Sequence, residues 1–409
     1  MSTAPSRLRK SALSIAMGLC LASLAAAPAF AQSATGAVAG RANPGEQVTV
    51  VNSATGASRS VTVNSDGTYR IGQLPPGDYT VRAVQNQTKR VLVPDRFSVV
   101  AEQPQTLRIA LVGEVSRHEM HTGPVTGVAV QSGEKATVYS VGLDRALVAW
   151  EANSTNLPKF VDLPHSARCV AVSPKGDDVA TAGGNKFPPA ELAIRIFKTS
   201  DLTPRGNSLD GHTRMINALA YSPTDKQLAS AGADGVFLWN TSTGDSQLLG
   251  ADNPEFIYAL AYSANGQHLV TGNDEGLVVV WDIRKRVRLK TYNTGPSPVR
   301  AVAFLSERVV SAGDDGTLRI WNAGALQHEW LGHTAAVQAL AVSPNSRQVL
   351  SGDAEGNLRL WSVATGKTVQ NWTGHKETVN AIAFLSNGRQ AVSGGADGAV
   401  SLWQLPFSD

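Results

Sequence analysis

Cysteine is close to absent. The 409-residue chain holds two, Cys20 and Cys169, and the first lies in a stretch that reads as a removable leader. One remaining thiol excludes an intramolecular disulfide and any zinc site built on several cysteines. No Cys-x-x-Cys-His is present to carry a covalent haem. Cys169 stands in the apolar run Cys169-Val170-Ala171-Val172, which reads as a small, buried, inert thiol. Catalytic signatures are missing as well: there is no His-Glu-x-x-His, no Gly-x-Ser-x-Gly and no phosphate-binding glycine loop. Small-residue stretches such as Ser53-Ala54-Thr55 read as turns, not as nucleophile elbows.

Net charge is the third absence. The formal +3 is carried by Arg7, Arg9 and Lys10, because residues 1–31 contain no acid and the rest of the chain sets 33 basic residues against 33 acidic ones. That balance removes any general electrostatic case for a nucleic-acid partner. The same 31 residues read as a secretory signal peptide. A basic start precedes an uncharged apolar core around Ile15 to Ala27, and Ala29-Phe30-Ala31 gives a small-x-small cleavage site before Gln32. The core is short and rich in alanine for a segment that needs ~20 apolar residues to cross a bilayer. Leu19 ahead of Cys20 speaks against a lipoprotein signal, and twin arginines are absent. The expectation is a periplasmic or secreted protein with no integral membrane segment after cleavage.

Residues 32–112 carry short, alternating, β-branched runs such as Gln47-Val48-Thr49-Val50-Val51 and Tyr79-Thr80-Val81-Arg82-Ala83. Asn64-Ser65-Asp66-Gly67 is a tight-turn signal, since glycine accepts the positive φ that such hairpins need. Helical periodicity is absent, so this region reads as a small β-sandwich. The stretch from Asp66-Gly67-Thr68-Tyr69 to Leu74-Pro75-Pro76-Gly77-Asp78-Tyr79-Thr80-Val81 resembles the carboxypeptidase-regulatory-like, transthyretin-like sandwich family. The resemblance implies a non-catalytic accessory module.

From residue 113 onward one pattern returns seven times, closing on Trp150, Phe197, Trp239, Trp281, Trp321, Trp361 and Trp403 at separations of 47, 42, 42, 40, 40 and 42 residues. A period of this size means a repeat architecture. Each unit opens on an apolar run with small residues at fixed places, as in Ile216-Asn217-Ala218-Leu219-Ala220-Tyr221. Small alanines suit a crowded strand near a common axis. Gly211-His212, Gly332-His333 and Gly374-His375 precede such runs, and Trp281-Asp282 closes one.

These features resemble the WD40 β-propeller family over residues 113–409. The resemblance implies a hydrogen-bonded chain of His, Ser or Thr, Asp and Trp within each blade. Three full sets match: His121, Ser140, Asp144, Trp150; His212, Ser230, Asp234, Trp239; and His375, Ser393, Asp397, Trp403. A fourth, His333, Ser351, Glu355 and Trp361, has Glu in place of Asp. The second unit offers His165, Thr181 and Glu191 but closes on Phe197, which has no N–H to donate. The fourth and fifth units keep Thr271, Glu275, Trp281 and Ser311, Asp315, Trp321 without the histidine, and looser packing is expected there. After Trp403 too few residues remain for a fourth strand, so residues Glu114 to Met120 must supply it and close a ring of seven. The expected fold is all-β: a seven-bladed WD40-type β-propeller at 113–409 behind a small N-terminal β-sandwich at 32–112, seated at the face opposite the Gly-His loops.

The histidines paired with acids recur at the blade period, which reads as structure and not as general acid–base chemistry or metal ligation. His118, His268 and His328 lie outside the sets and read as solvated side chains. The second unit's long turn, with Phe187, Pro188 and Pro189, lies with Arg214, Met215, Phe256, Arg300 and Glu377 on loops of the Gly-His face. Two readings stand for it: a docking rim, or a loop folded over a poorly tied blade. The basic run Arg284 to Lys290 reads equally as edge protection or as a polyanion site. The function expected is an exported, non-enzymatic scaffold or adaptor that needs no cofactor or metal. It would bind a partner protein or peptide on the Gly-His face, as part of a cell-envelope complex. The competing expectation is a propeller enzyme of lactonase or hydrolase type with its site at the channel mouth. That reading calls for an acid/His cluster off the blade sets, and none is visible.

Overall fold

The computed structural model describes residues 36–41, 45, 47–66, 68–84, 96–99, 104–106, 113–133, 136–184, 192–224, 226–250 and 255–406. Every regular element among them is a strand. The N-terminal region forms two sheets. One orders Thr68–Leu74, Gly36–Arg41 and Pro104–Thr106; the other orders Ser58–Thr62, Gln47–Asn52, Gly77–Val84 and Arg96–Val99. The alternation read in the sequence puts Val38, Val48, Val50, Tyr69, Ile71 and Tyr79 into one buried cluster. Tyr79 anchors the Pro-Pro-Gly turn by donating its hydroxyl to the Pro75 carbonyl at 2.8 Å. The link to the next domain, Leu111-Val112, lies outside the described residues, as does the basis for the expected seat of the small domain.

The rest of the chain makes seven antiparallel sheets, here blades one to seven. Their innermost strands are Val125–Gln131, Ala167–Val172, Ile216–Tyr221, Ile257–Tyr262, Val299–Leu305, Val337–Val342 and Val379–Phe384. Each of these contacts the next, and the last returns to the first, so the ring is closed. Six blades have four strands. Among the described residues blade two has three, and isolated bridges Ile194↔Leu209 and Phe197↔Pro204 cover its outer edge. The closing strand is Gly113–His118, which pairs antiparallel with Val400–Gln404 of blade seven.

The cores lie between blades and not within them. Seven buried clusters occupy the seven junctions; the one between blades five and six joins Val310, Leu318 and Ile320 to Val337, Val349 and Trp361. Alanines on the inner and second strands, such as Ala229 and Ala231, let neighbouring sheets approach around the axis. Cys169 is buried between blades two and three, and burial pushes its thiol well above the ordinary range.

One irregularity repeats in all seven inner strands. A β-bulge falls at the second residue: Thr126, Arg168, Asn217, Tyr258, Arg300, Gln338 and Asn380. A bulge re-aims its side chain out of the regular alternation. Here it brings one side chain per blade to the channel mouth on the Gly-His face. Because ring closure rests on one strap, a chain beginning at Glu119 should melt at lower temperature than the full chain and self-associate through the bare edge of Val400–Gln404. Calorimetry and light scattering check this; an unchanged Tm and a monomer would refute it.

Candidate functional site

The blade networks come first, because they decide which polar residues are free. In blade three His212 Nδ1 meets Asp234 at 2.6 Å and Nε2 meets Ser230 Oγ at 2.6 Å, while Trp239 donates to the same hydroxyl at 2.7 Å. Blade seven repeats this with His375–Asp397 at 2.9 Å, His375–Ser393 at 2.7 Å and Trp403–Ser393 at 2.7 Å. Since the serine accepts the indole N–H, its own proton goes to Nε2, and Nδ1 donates to the carboxylate. Acid, imidazole and hydroxyl stand in the order of a hydrolase triad. The hydroxyls of Ser140, Ser230, Ser351 and Ser393 are fully buried, however, and no substrate can reach them.

Two predicted sets need correction. In blade one His121 meets Asp144 at 3.0 Å and Ser140 at 2.9 Å, but the Trp150 N–H has no partner; its indole packs on the His118 ring at 4.5 Å. His118 is therefore half-buried and not a solvated side chain. In blade six the acid is not Glu355. His333 Nδ1 meets Asp353 at 2.8 Å and Nε2 meets Ser351 at 2.7 Å, with Trp361 donating to Ser351 at 2.8 Å. The reason lies two residues upstream of the usual acid. Blades one and seven have Gly142 and Gly395 there, and a Cβ would crowd the His–Asp pair. Blade six has Asp353 there, so its own carboxylate fills that space and Glu355 is left outside.

Blade two is incomplete, as its phenylalanine implied: His165 Nε2 and Thr181 Oγ1 are buried without partners, and Glu191 lies outside the described residues. The expected loosening of blades four and five does not appear in their networks. Trp281 donates to Thr271 at 3.0 Å and Trp321 to Ser311 at 2.8 Å, so the shorter chains are satisfied. Glu275 and Asp315 take no part; Asp315 pairs with Arg319.

The free surface is the channel mouth. Phe187 and Pro188 lie outside the described residues. Arg214 is exposed on its loop, Met215 is half-buried beside it, and Glu377 is exposed ahead of blade seven; no bond or ring contact joins these three to one another. Phe256 and Arg300, by contrast, meet through a residue the sequence analysis missed. Arg300 lies over the Tyr258 ring at 4.0 Å, and Phe256 packs against that ring at 4.9 Å. Asp314 grips the guanidinium with two bonds, at 2.8 and 2.7 Å, and Gln338 of blade six reaches Asp314 at 3.3 Å. The signal that could have found Tyr258 and Gln338 is their place as second residue of an inner strand. Of the other bulge residues, Thr126, Asn217 and Asn380 bond a carbonyl of the next blade at 2.8, 2.9 and 2.8 Å, and are spent on the ring. Arg168 is exposed and makes no hydrogen bond or ion pair among the described residues. Among the described residues no group of three His, Cys, Asp or Glu side chains is placed to hold a metal ion.

Closed sheets, buried networks and a mouth of bulge side chains define a β-propeller behind a separate β-sandwich. Residues 34–112 match the carboxypeptidase regulatory-like domain, and residues 204–240, 246–282, 286–322, 324–362 and 366–404 match the WD domain, G-beta repeat. The chain thus carries a carboxypeptidase regulatory-like domain followed by five WD40 repeats over residues 204–404. It is 24% identical over 282 residues to a 66 kDa stress protein of Physarum polycephalum, covering 68% of this chain and 39% of that protein. It is 23% identical to a pre-mRNA-processing factor 19 homolog of Arabidopsis thaliana, covering 49% of this chain and 39% of the relative. It is 25% identical to a guanine nucleotide-binding protein subunit beta of Oryza sativa subsp. japonica, covering 42% and 48% respectively. The chain thus spans less than half the length of these relatives.

Two predictions follow the geometry. Asp353→Asn should cost about 2–4 kcal/mol in blade six, whereas Glu355→Gln should stay within about 0.5 kcal/mol, read from urea melts. Equal effects would contradict the assignment. The second concerns acid. Burial lowers the imidazole pKa of His333 and His375, against the pull of Asp353 and Asp397. Burial alone would raise the Asp397 carboxyl, but the Lys376 amide, His375 and Arg117 outweigh it and hold it at about 2. All three groups have folded values below unfolded ones, so the unfolded chain takes up protons first. The histidine contribution is complete above about pH 6.5 and is lost below it; the Asp397 contribution is complete above about pH 3.9 and is lost as pH falls through about 2. Tm should fall in two stages on acidification, and a flat Tm between about pH 7 and 5 would contradict the first.

Proposed function

We propose that this protein is a non-enzymatic scaffold that docks a protein or peptide partner on the Gly-His face of its propeller. The observation that carries the reading is the Arg300 cluster. A half-buried guanidinium, held by two bonds from Asp314 and backed by two aromatic rings, is an anchor already ordered before any partner arrives. Arginine and tyrosine in such settings supply much of the energy at protein interfaces. Exposed Arg168 lies on the same rim, three blades away. The relative named as a subunit of a guanine nucleotide-binding protein supports a part played within an assembly.

The leader extends the proposal to place. A chain cleaved after Ala31 and exported would meet its partner in the cell envelope. Mass spectrometry of envelope fractions should then find a mature N-terminus at Gln32, and an uncleaved cytosolic chain would defeat that part. For the surface, affinity capture from the same fractions is the test. Tyr258→Ala with Arg300→Ala should weaken capture about 30-fold or more while leaving Tm within a few degrees. Full capture by this double variant would show that the partner binds elsewhere.

A further inference from the structure

The basic run Arg284 to Lys290 divides between two roles. Val287–Asn293 is the outer strand of blade four, where charge protects an edge. Arg288 belongs to that strand, bonding Glu255 at 2.7 Å and lying over the Trp281 ring at 5.0 Å. Arg284 and Arg286 stand before it, in the turn that leads to the strand. Both are exposed and make no ion pair among the described residues. They line a cavity of about 480 Å³ between the turns of blades three and four, at the end of the sheets opposite the Gly-His loops.

The backbone of that turn is a second, independent sign. The Arg286 amide donates to the Asp282 carbonyl at 2.8 Å, as Gly244 does to Asn240 in blade three and Gly366 to Ser362 in blade six, both also at 2.8 Å. Those two blades place glycine at this position, with φ of 83° and 67°. Blade four places Arg286 there at φ 59°, a left-handed conformation that a residue with a Cβ adopts only with strain. Glycine would make the same turn without it. Strain of this kind concentrates where a side chain meets a ligand.

The cavity continues on both sides. It shares Thr224 with a cavity of about 520 Å³ between blades two and three, and Asn265 with one of about 350 Å³ between blades four and five. Three junctions thus form one groove. Lys175 and Lys226 are exposed in its first part and Lys290 in its last, so positive charge recurs at each junction. Asp177 and Glu307 are the unpaired acids among the described residues of the two flanking parts. The middle cavity is lined by no acid; Asp245 and Asp282 beside it bond within their own turns, to Thr243 and to the Lys285 amide. Gln247, Gln267 and Asn265 add amides, which both donate and accept as sugar hydroxyls do.

We infer that this groove binds a linear anionic polysaccharide. Arg284 and Arg286 take its acidic groups at the centre, the amides meet its hydroxyls, and the outer lysines hold the chain on either side. An acidic peptide would need pockets for apolar anchors; Leu238 and Ile283, the apolar side chains of the middle cavity, are buried in its floor. A nucleic acid would need aromatic platforms for its bases, and none lines the middle cavity. The groove lies on the face opposite the Arg300 cluster, and its test does not depend on partner docking there.

Calorimetric titration of the full chain with polygalacturonate, dextran, poly-L-glutamate and a single-stranded oligonucleotide tests the inference. Polygalacturonate should bind most tightly, more weakly as salt rises, and dextran should not bind. Arg286→Gly should weaken polygalacturonate binding about tenfold while leaving Tm unchanged or raised, because it relieves the turn. Lys367→Gln, which removes a charge beside the matching turn of blade six, should leave binding unchanged. A fall in Tm with Arg286→Gly would show that the arginine serves the fold, and would overturn the proposal. So would equal loss of binding with Lys367→Gln, binding of polyglutamate or the oligonucleotide as tight as that of polygalacturonate, or no binding of polygalacturonate.

Discussion

Everything in the larger domain depends on burial shared between neighbouring sheets. No blade has a core of its own; each offers one face to the blade before it and one to the blade after, and all seven buried clusters sit at junctions. A sheet with both faces apolar needs cover on both, and here the neighbouring blades and the closure of the ring supply it. The strap Gly113–His118 makes that closure non-local, pairing one end of the propeller with the other. Arg117 reinforces it, bonding Asp397 at 2.7 Å and the Gly374 carbonyl at 3.1 Å. The same arginine thereby helps hold the charge of the blade-seven network, so closure and the buried polar chain support one another.

The buried networks show how a reactive arrangement can be kept inert. An acid, an imidazole and a serine hydroxyl in line would activate a nucleophile if the hydroxyl met substrate. Here an indole N–H occupies the oxygen, and the sheets exclude solvent from it. What these groups supply is orientation: the acid also bonds backbone amides of the loop that bears the histidine, as Asp234 does with Thr213 at 2.6 Å and Asp397 with Lys376 at 2.9 Å. The networks of blades one, three and seven therefore each fix a loop of the face on which Arg300 and its companions stand.

Much of this was legible in the residues. The recurring aromatics and Gly-His pairs announced seven units, because the count follows from the period. Asp353 was misread because Glu355 sits at the spacing its siblings use. The decisive difference was the loss of glycine two residues earlier, a steric matter that spacing does not weigh. The Arg300 cluster escaped because Tyr258, Asp314 and Gln338 come from three blades and meet only when the sheets pack. Phe256 and Arg300 were picked out individually, but their connection ran through Tyr258.

The ties at the channel mouth are unevenly shared. Side chains bond across the junctions of blades one and two, three and four, five and six, and seven and one, while Arg300 spans four and five, and Thr378 bonds the Ala354 carbonyl from seven to six at 3.1 Å. Between two and three the matching side chain is Arg168; among the described residues it bonds nothing and burial alone holds that joint at the mouth. Burial of apolar surface loses strength on cooling in a way that hydrogen bonds do not. The ring is thus made of joints with different temperature responses, and this one is the seam that cold would open first.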